Sequence, residues 1–153
     1  MDAAEPSTNG ITAQNLYRLS ALLEDASYAE LARSTLMAFE SEILQHPFVF
    51  SSMLPCIVWE RLGGRAVVVT GHDDDDDDGG EGGKGRVVSE ALRKMRREVG
   101  VTRTVVRLGG REARSEWLRG RNELLRSMDP HRKGVWVCEG GACREELELG
   151  QAA

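Results

Sequence analysis

The fold is decided by the stretch Arg65–Thr70, which reads RAVVVT and follows a segment with a helical pattern. It is a continuous apolar run rich in β-branched residues, which is typical of a buried strand. A similar run, RTVVRL, occupies Arg103–Leu108, and the segment Ser89–Val99 between them predicts a helix closed by Gly100. A strand, a helix and a strand at this spacing predict a βαβ unit with parallel strands.

The residues after the second strand predict one more helix, one more strand and a tail. Glu112–Met128 carries its apolar residues on one side, which predicts a single helix. Gly134–Cys138, which reads GVWVC, predicts a third short strand, whereas the polar residues 145–153 predict a frayed tail. We therefore expect a small α/β appendage over residues 65–144 and a tail over 145–153.

The residues before the first strand predict three helices. N-cap residue types at Ser7–Asn9 precede an apolar stripe that suits a helix of about four turns. A second stripe, Tyr28–Ile43, contains no Gly or Pro and predicts one helix that stops before Pro47, so that the two helices form an antiparallel hairpin. A third helix is predicted from Ser51 or Ser52 to Leu62, with Pro55 in its first turn and Gly63-Gly64 ending it. The fold class is α+β, mostly α, with helical hairpins over residues 1–64.

Composition excludes several classes of protein. The chain has 153 residues, which suits one domain, and no apolar run approaches the ~20 residues that a membrane helix needs. Its first residues lack the basic and apolar regions of a signal peptide, and three cysteines do not make a disulfide scaffold. We expect a cytoplasmic or unassigned location and no membrane contact.

Charge is distributed unevenly along the chain. Residues 1–85 hold fifteen acidic and five basic side chains, whereas residues 86–133 hold fourteen basic and six acidic ones. The basic residues are spread over two predicted helices and a strand, and Trp117 is the one aromatic residue among them. Because a nucleic-acid site needs focused Lys and Arg with stacking residues, we expect a solvated surface, or one facing an acidic part of a protein. A basic α/β interaction module is the weaker alternative, and no nucleic acid is expected.

Residues 72–85 form an Asp- and Gly-rich segment that predicts a flexible, disordered insertion at the end of the first strand. Six consecutive aspartates, Asp73–Asp78, repel one another. The glycines after them have no apolar side chains whose burial could offset the entropy lost when the backbone is ordered. The glycines match the dinucleotide pattern G-x-G-x-x-G, but the aspartates separate them from the strand and repel phosphate. A homopolymer also lacks the preorganised oxygens of a Ca²⁺ or Mg²⁺ site. We expect no cofactor and no metal.

Two cysteines near the C-terminus, Cys138 and Cys143, lie close to His131. A structural zinc site usually takes four ligands from two close pairs, and this is a single pair without the C-x-x-C spacing of redox sites. We interpret the pair as a structural cysteine turn packed against the sheet. The sequence does not decide whether a disulfide joins the two cysteines across the turn.

Three stretches of the chain resemble the spermatogenesis-associated protein 20 family, whose members are also described as thioredoxin-domain-containing proteins. Glu5–Leu19, which reads EPSTNGITAQNLYRL, is similar to the family's E-P-S-x-N-x-x-x-A-x-N-L-x-R-L stretch. The likeness continues through Tyr28–Phe39, Pro47 and a Met-Leu helix to Val67–Gly71. Val137–Cys143, which reads VCEGGAC, resembles the closing V-C-x-N-x-x-C turn, except that glycines replace the Asn and an aromatic residue.

The resemblance implies a fold and a location for a site. Family members are several times longer and combine a thioredoxin-like domain with an (α/α)6 toroid like that of six-hairpin glycosidases and sugar 2-epimerases. This chain resembles only their C-terminal end: the last helical hairpins and the appendage, without the thioredoxin-like domain. By that resemblance Glu5, Ser7 and Asn9 would lie on the rim of the toroid cavity, and Asn15 about one turn into the helix. The alternative for Glu5 and Asn9 is simple helix capping.

The resulting functional expectation is a C-terminal fragment that is not catalytic by itself, with catalytic residues unknown. The expected partner is the remainder of the parent protein or a second copy of the chain. The alternative is a part of a carbohydrate-binding or carbohydrate-processing enzyme, such as an epimerase or a glycosidase, with a small carbohydrate-like ligand in the parent. That alternative rests on fold-level analogy.

Overall fold

The computed structural model describes residues 5–71, 93, 97, 102–109, 112–132 and 134–148. The chain divides into two compact units, Met1–Gly64 and Arg65–Ala153. The described part of the first unit is helical, and the described part of the second unit holds a four-stranded mixed sheet and two short helices after its second strand. The fold is therefore α+β, as the sequence pattern predicts.

Residues 5–64 of the helical unit form four α-helices and a 3-10 helix. Their bounds are α1 Thr8–Leu23, α2 Ala26–Met37, α3 Glu40–Gln45, the 3-10 helix Pro47–Met53 and α4 Leu54–Leu62. Ser7 caps α1 and Asp25 caps α2, and the short link between these two helices includes Glu24 in the left-handed region with φ 55°. The predicted first helix and its N-cap are confirmed, and α2 packs against α1.

The prediction of one helix spanning Tyr28–Ile43 is wrong, because α2 ends at Met37 and α3 begins at Glu40. Phe39 leaves the helical conformation at φ −119° and ψ 13°, and its ring lies 5.9 Å from the ring of Phe50. This aromatic contact with the 3-10 helix turns the chain where no Gly or Pro marks a break. The third helix is also split, since the 3-10 helix precedes α4, while Pro55 does lie in the first turn of α4.

The core of the helical unit joins all of its helices. Its buried residues are Ala13, Tyr17, Ala32, Leu36, Ile43, Phe50, Met53, Cys56 and Trp59. The ring of Tyr17 stacks on Trp59 with 5.8 Å between centroids. Gly10 brings α1 so near the 3-10 helix that a Cβ there would overlap the Ser52 hydroxyl. Close helix contact at Gly10 and aromatic packing at Tyr17 thus define the inner side of α1.

The sheet of the second unit has the strand order β2-β1-β3-β4, and its strands are β1 Arg65–Thr70, β2 Arg103–Leu108, β3 Gly134–Glu139 and β4 Ala142–Glu148. β1 and β2 are parallel, with Arg65 opposite Arg103, which confirms the predicted parallel pair. β3 is antiparallel to β1 and to β4. The insertion 72–85 lies outside the described residues, as does the helix predicted over 89–99 apart from the helical residues Arg93 and Arg97.

Two boundaries in the second unit differ from the predictions. Residues 145–148, predicted as part of a frayed tail, lie in β4. Their backbone pairing with β3 outweighs their polar composition. Charged side chains also suit an edge strand. The helix predicted over Glu112–Met128 is two helices, α5 Glu112–Arg121 and α6 Glu123–Ser127. Asn122 separates them, because its side chain accepts a hydrogen bond from the Leu125 amide at 2.9 Å and so caps α6.

Candidate functional site

The rim residues suggested by the family resemblance lie at the start of α1. Ser7 is half-buried, and its hydroxyl accepts a hydrogen bond from the Gly10 amide at 3.2 Å and lies 3.1 Å from the Ser52 hydroxyl. Glu5 and Asn9 have exposed side chains. Ser7 therefore supplies the side-chain cap of α1, and the role of Glu5 and Asn9 on a cavity rim stays a prediction.

Asn15 does not share a side of α1 with Asn9. Six residues at 100° each place the two about 120° apart around the helix. Asn15 is exposed and lies four residues from Ile11 on one side and four from Leu19 on the other, so these three residues follow one line along the helix. Ile11 is 42% exposed and Leu19 is 38% exposed. We call Ile11, Asn15 and Leu19 the outer face of α1, since the buried Tyr17 lies on the other side.

A polar network links three helices on the inner side of α1. The Tyr17 hydroxyl donates to Glu60 Oε2 at 2.8 Å, and Arg33 Nε donates to Glu60 Oε1 at 2.7 Å. The carboxylate of α4 thus receives donors from α1 and α2. No local sequence pattern marks this network, although a tyrosine on an apolar stripe is itself a sign that its hydroxyl needs a partner.

The protonation states of this network favour a structural role. Desolvation raises the pKa of Glu60, but the hydrogen bonds from Arg33 and Tyr17 and the charge of Arg33 together outweigh it and hold that pKa below its usual value. Burial, followed by the hydrogen bond to Glu60, raises the pKa of Tyr17. Near neutral pH the carboxylate is therefore charged and the phenol keeps its proton, so neither is poised for acid–base catalysis.

Cys56 is a free, buried cysteine of α4. Burial raises the pKa of its thiol to about 11, so the thiol stays protonated at neutral pH. Because the thiolate is the reactive form, Cys56 acts as a core residue of the helical unit.

A polar cluster in the second unit surrounds Thr70, the last residue of β1. The Thr70 hydroxyl donates to the Arg132 carbonyl, and Trp136 Nε1 donates to Thr70 Oγ1 at 3.2 Å. The Arg132 guanidinium lies 5.1 Å from the centroid of the Trp136 ring and donates to Glu145 Oε2 at 2.6 Å. A Cβ at Gly134 would lie 3.1 Å from Trp136 Nε1, which explains the glycine there. The cluster depends on the pairing of β3 with β1 and β4, so no local sequence signal predicts it.

Cys138 and Cys143 face each other on β3 and β4 and form a disulfide. The turn between the strands contains Gly140 at φ 60° and Gly141 at φ 80°, a backbone that glycine adopts without strain. The disulfide that the sequence does not decide is thus formed across the turn. His131 is exposed, and its amide donates to Asp129 Oδ1 at 2.9 Å. Within the described ranges, no group of three His, Cys, Asp or Glu side chains is arranged to hold a metal ion.

Two arginines of the basic segment make hydrogen bonds between α5 and α6. Arg126 Nη2 donates to the Gly120 carbonyl at 2.8 Å, and Arg119 Nη2 donates to the Arg126 carbonyl at 3.2 Å. The Arg121 guanidinium lies 4.8 Å from the centroid of the Trp117 ring. Arg119 and Arg126 therefore help to join α5 to α6, whereas Arg121 contacts a ring of its own helix.

Comparison of the chain with protein-family models, curated proteins and solved structures found no match. Among the residues that the structure covers, no helix has both the length and the apolar character needed to cross a membrane.

Proposed function

We propose that the chain corresponds to the C-terminal part of a spermatogenesis-associated-protein-20-like, thioredoxin-domain-containing protein. In this proposal the helical unit supplies the last hairpins of an (α/α)6 toroid, the sheet is an appendage, and the chain is not a self-sufficient catalyst. The similarity of Glu5–Leu19 to the family motif supports the assignment. The structural observation that carries the proposal is the outer face of α1.

α1 presents apolar side chains on two sides. Its inner side is buried through Ala13 and Tyr17, while Ile11 and Leu19 remain more than a third exposed on the outer face. A helix that is apolar on two sides is normally covered on both in its working assembly. In a ring of helical hairpins a helix has neighbours on either side, which accounts for a second apolar face.

Other large apolar side chains of the helical unit are also exposed: Leu31, Met37, Leu44, Phe48, Leu54 and Leu62. Single exposed apolar residues are common on soluble proteins and need no partner. Leu54 and Leu62 share the eight-residue spacing of Ile11 and Leu19, but only Ile11 and Leu19 lie within Glu5–Leu19, the stretch that resembles the family motif. The proposed contact with further helices is therefore assigned to the outer face of α1.

Binding of a hydrophobic fluorescent dye tests the proposal. We expect the native chain to bind the dye and the Ile11→Ser/Leu19→Ser double variant to lose most of the signal while its far-UV circular dichroism is unchanged. Leu62→Ser is the matched control, since Leu62 is 72% exposed but lies at the end of α4. Equal dye binding by the wild type and the double variant, or no binding by the wild type, would contradict the proposal.

A carbohydrate-like ligand in the parent protein is the second candidate, and one observation favours it. Since Ser7 already supplies the side-chain cap of α1, the exposed side chains of Glu5 and Asn9 remain accessible beside it. A carboxylate and an amide are groups that can hydrogen-bond sugar hydroxyls. The test is sugar binding and turnover by Glu5→Ala and Asn9→Ala in the full-length parent that the proposal implies. Unchanged values in both variants would remove these residues from the site.

A further inference from the structure

We propose that the Cys138–Cys143 disulfide is a reversible redox site, reduced by a dithiol, whose opening loosens β4 without unfolding the rest of the sheet. The two cysteines are directly opposite each other in the β3–β4 pair. Their bond therefore acts on one pairing of the sheet, that between β3 and the edge strand.

The remaining strands do not depend on this bond for their connections. β1 pairs with β2 on one side and with β3 on the other, whereas β4, among the residues that the structure describes, pairs with β3 alone. The cysteines are separated by only five positions in sequence, and the Gly140-Gly141 turn already brings the two strands together. A cross-link that closes so short a loop stabilises a fold less than one that closes a long loop. Reduction is thus expected to weaken one hairpin and to leave the β2-β1-β3 sheet folded.

The two cysteines differ in exposure. Cys138 is 4% exposed on β3, which lies between β1 and β4. Cys143 is half-buried on β4 and follows three exposed residues, Gly140–Ala142. An incoming thiolate therefore reaches Cys143 Sγ more readily than Cys138 Sγ.

The exchange proceeds in two balanced steps. A thiolate of the dithiol attacks Cys143 Sγ, the Cys138–Cys143 bond breaks, and its electron pair leaves on Cys138 Sγ, which takes a proton from water. The second thiolate of the dithiol then attacks the reductant's own sulfur in the mixed disulfide and releases Cys143 as a thiolate, which is also protonated. The dithiol becomes a disulfide, and the protein gains two electrons and two protons.

Opening the hairpin also affects the cluster at the end of β1. Glu145 lies two residues after Cys143 on β4 and accepts the hydrogen bond from Arg132. Arg132 lies over the Trp136 ring, and Trp136 donates to Thr70. Loosening β4 is expected to withdraw the Glu145 carboxylate from this cluster, which connects the redox state to the environment of β1.

Hydrogen exchange of the whole chain, with and without dithiothreitol in native buffer, tests the proposal. We expect reduction to accelerate amide exchange in Arg144–Glu148 by about thirtyfold, the factor that loop-closure entropy gives for so short a loop. Exchange in β1 and β2 should stay unchanged, and reoxidation should restore protection in β4. The Cys138→Ser/Cys143→Ser variant should behave as the reduced chain, and Cys56→Ser as the wild type in both states.

Several results would overturn the proposal. One is equal exchange of β4 in the oxidised and reduced chains, and another is loss of protection throughout β1 and β2 on reduction. Failure of dithiothreitol to reduce the bond in native buffer, measured as the mass gained on thiol alkylation, would also overturn it. So would two alkylated cysteines at positions 138 and 143 in the chain isolated without reductant.

Discussion

The Tyr17 hydroxyl donates a hydrogen bond of 2.8 Å to Glu60 Oε2, and this bond ties a buried side chain of α1 to α4. Arg33 of α2 donates to the other oxygen of the same carboxylate at 2.7 Å. The network holds the inner side of α1 against its neighbours. It thereby determines that Ile11 and Leu19 point away from them, on the face that we assign to contact with further helices.

The first prediction concerns the hydroxyl of Tyr17. Tyr17→Phe removes a partly buried hydrogen bond to a charged group but keeps the ring that stacks on Trp59. We expect the free energy of unfolding of the helical unit to fall by about 1–2 kcal/mol in urea titrations followed by tryptophan fluorescence. Tyr28→Phe, at a half-buried tyrosine of α2, is the matched control and should cost less. An equal loss of unfolding free energy in the two variants would show that the hydrogen bond to Glu60 does not stabilise the helical unit.

The second prediction concerns acid stability. Because the pKa of Glu60 is lower in the folded chain than its ordinary value of 4.5, its ionised form stabilises the fold above that value. This contribution is lost as the pH falls through the lower folded pKa. Hydrogen bonds from Ser27 also lower the pKa of Asp25 below its ordinary value of 3.8, so its ionised form likewise stabilises the fold and this contribution is lost as the pH falls.

Glu60→Gln should therefore flatten the fall in unfolding free energy as the pH is lowered below 4.5, and Asp25→Asn should flatten it below 3.8. Urea titrations at a series of pH values measure this slope. Parallel curves for the wild type and Glu60→Gln would contradict the assigned direction of the Glu60 pKa.

The third prediction concerns the close approach at Gly10. A Cβ there would overlap the Ser52 hydroxyl and lie 3.1 Å from the Ser52 carbonyl carbon, so Gly10→Ala should destabilise the helical unit by about 1–3 kcal/mol. Gly120→Ala is the control, because Gly120 is in α5 and its Cβ would meet nothing within 4 Å. That variant should stabilise its own unit by about 0.5–1 kcal/mol. Thermal unfolding of both variants measures these differences. If Gly120→Ala were destabilising and Gly10→Ala were not, the close packing assigned to Gly10 would be contradicted.

The fourth prediction concerns the break between α5 and α6. Asn122 is 4% exposed and caps α6 through the Leu125 amide. Asn122→Ala should lower the unfolding free energy of the second unit by about 1 kcal/mol, whereas Asn122→Asp should retain most of the cap. Urea titration followed by circular dichroism measures both, and an equal loss in the two variants would show that capping is not the role of Asn122.

The fold was predictable wherever short-range chemistry determines it. Ser7 is a preferred N-cap residue and does cap α1, and the apolar runs at Arg65–Thr70 and Arg103–Leu108 do form a parallel pair. The break at Phe39 coincides with a contact with the Phe50 ring of the 3-10 helix, and helical periodicity alone could not reveal that contact. β4 was not predicted for a related reason, since its charged residues are ordered by pairing with β3.

The candidate sites show the same division. The positions of Ser7 and of the Cys138–Cys143 turn follow from local residue types and spacing. The network of Tyr17 and Glu60 joins residues 43 positions apart, and the contact of Trp136 with Thr70 spans 66 positions. Such pairs depend on how the helices and strands pack, which a single sequence pattern does not specify.

Sedimentation velocity over a series of protein concentrations tests the central claim most directly, because an uncovered apolar face on α1 should make the chain associate. We predict concentration-dependent association of the wild-type chain and a marked reduction of it in Ile11→Ser/Leu19→Ser, with Leu62→Ser behaving as the wild type. A monodisperse wild-type monomer at every concentration, with one sharp and cooperative thermal transition, would contradict the account.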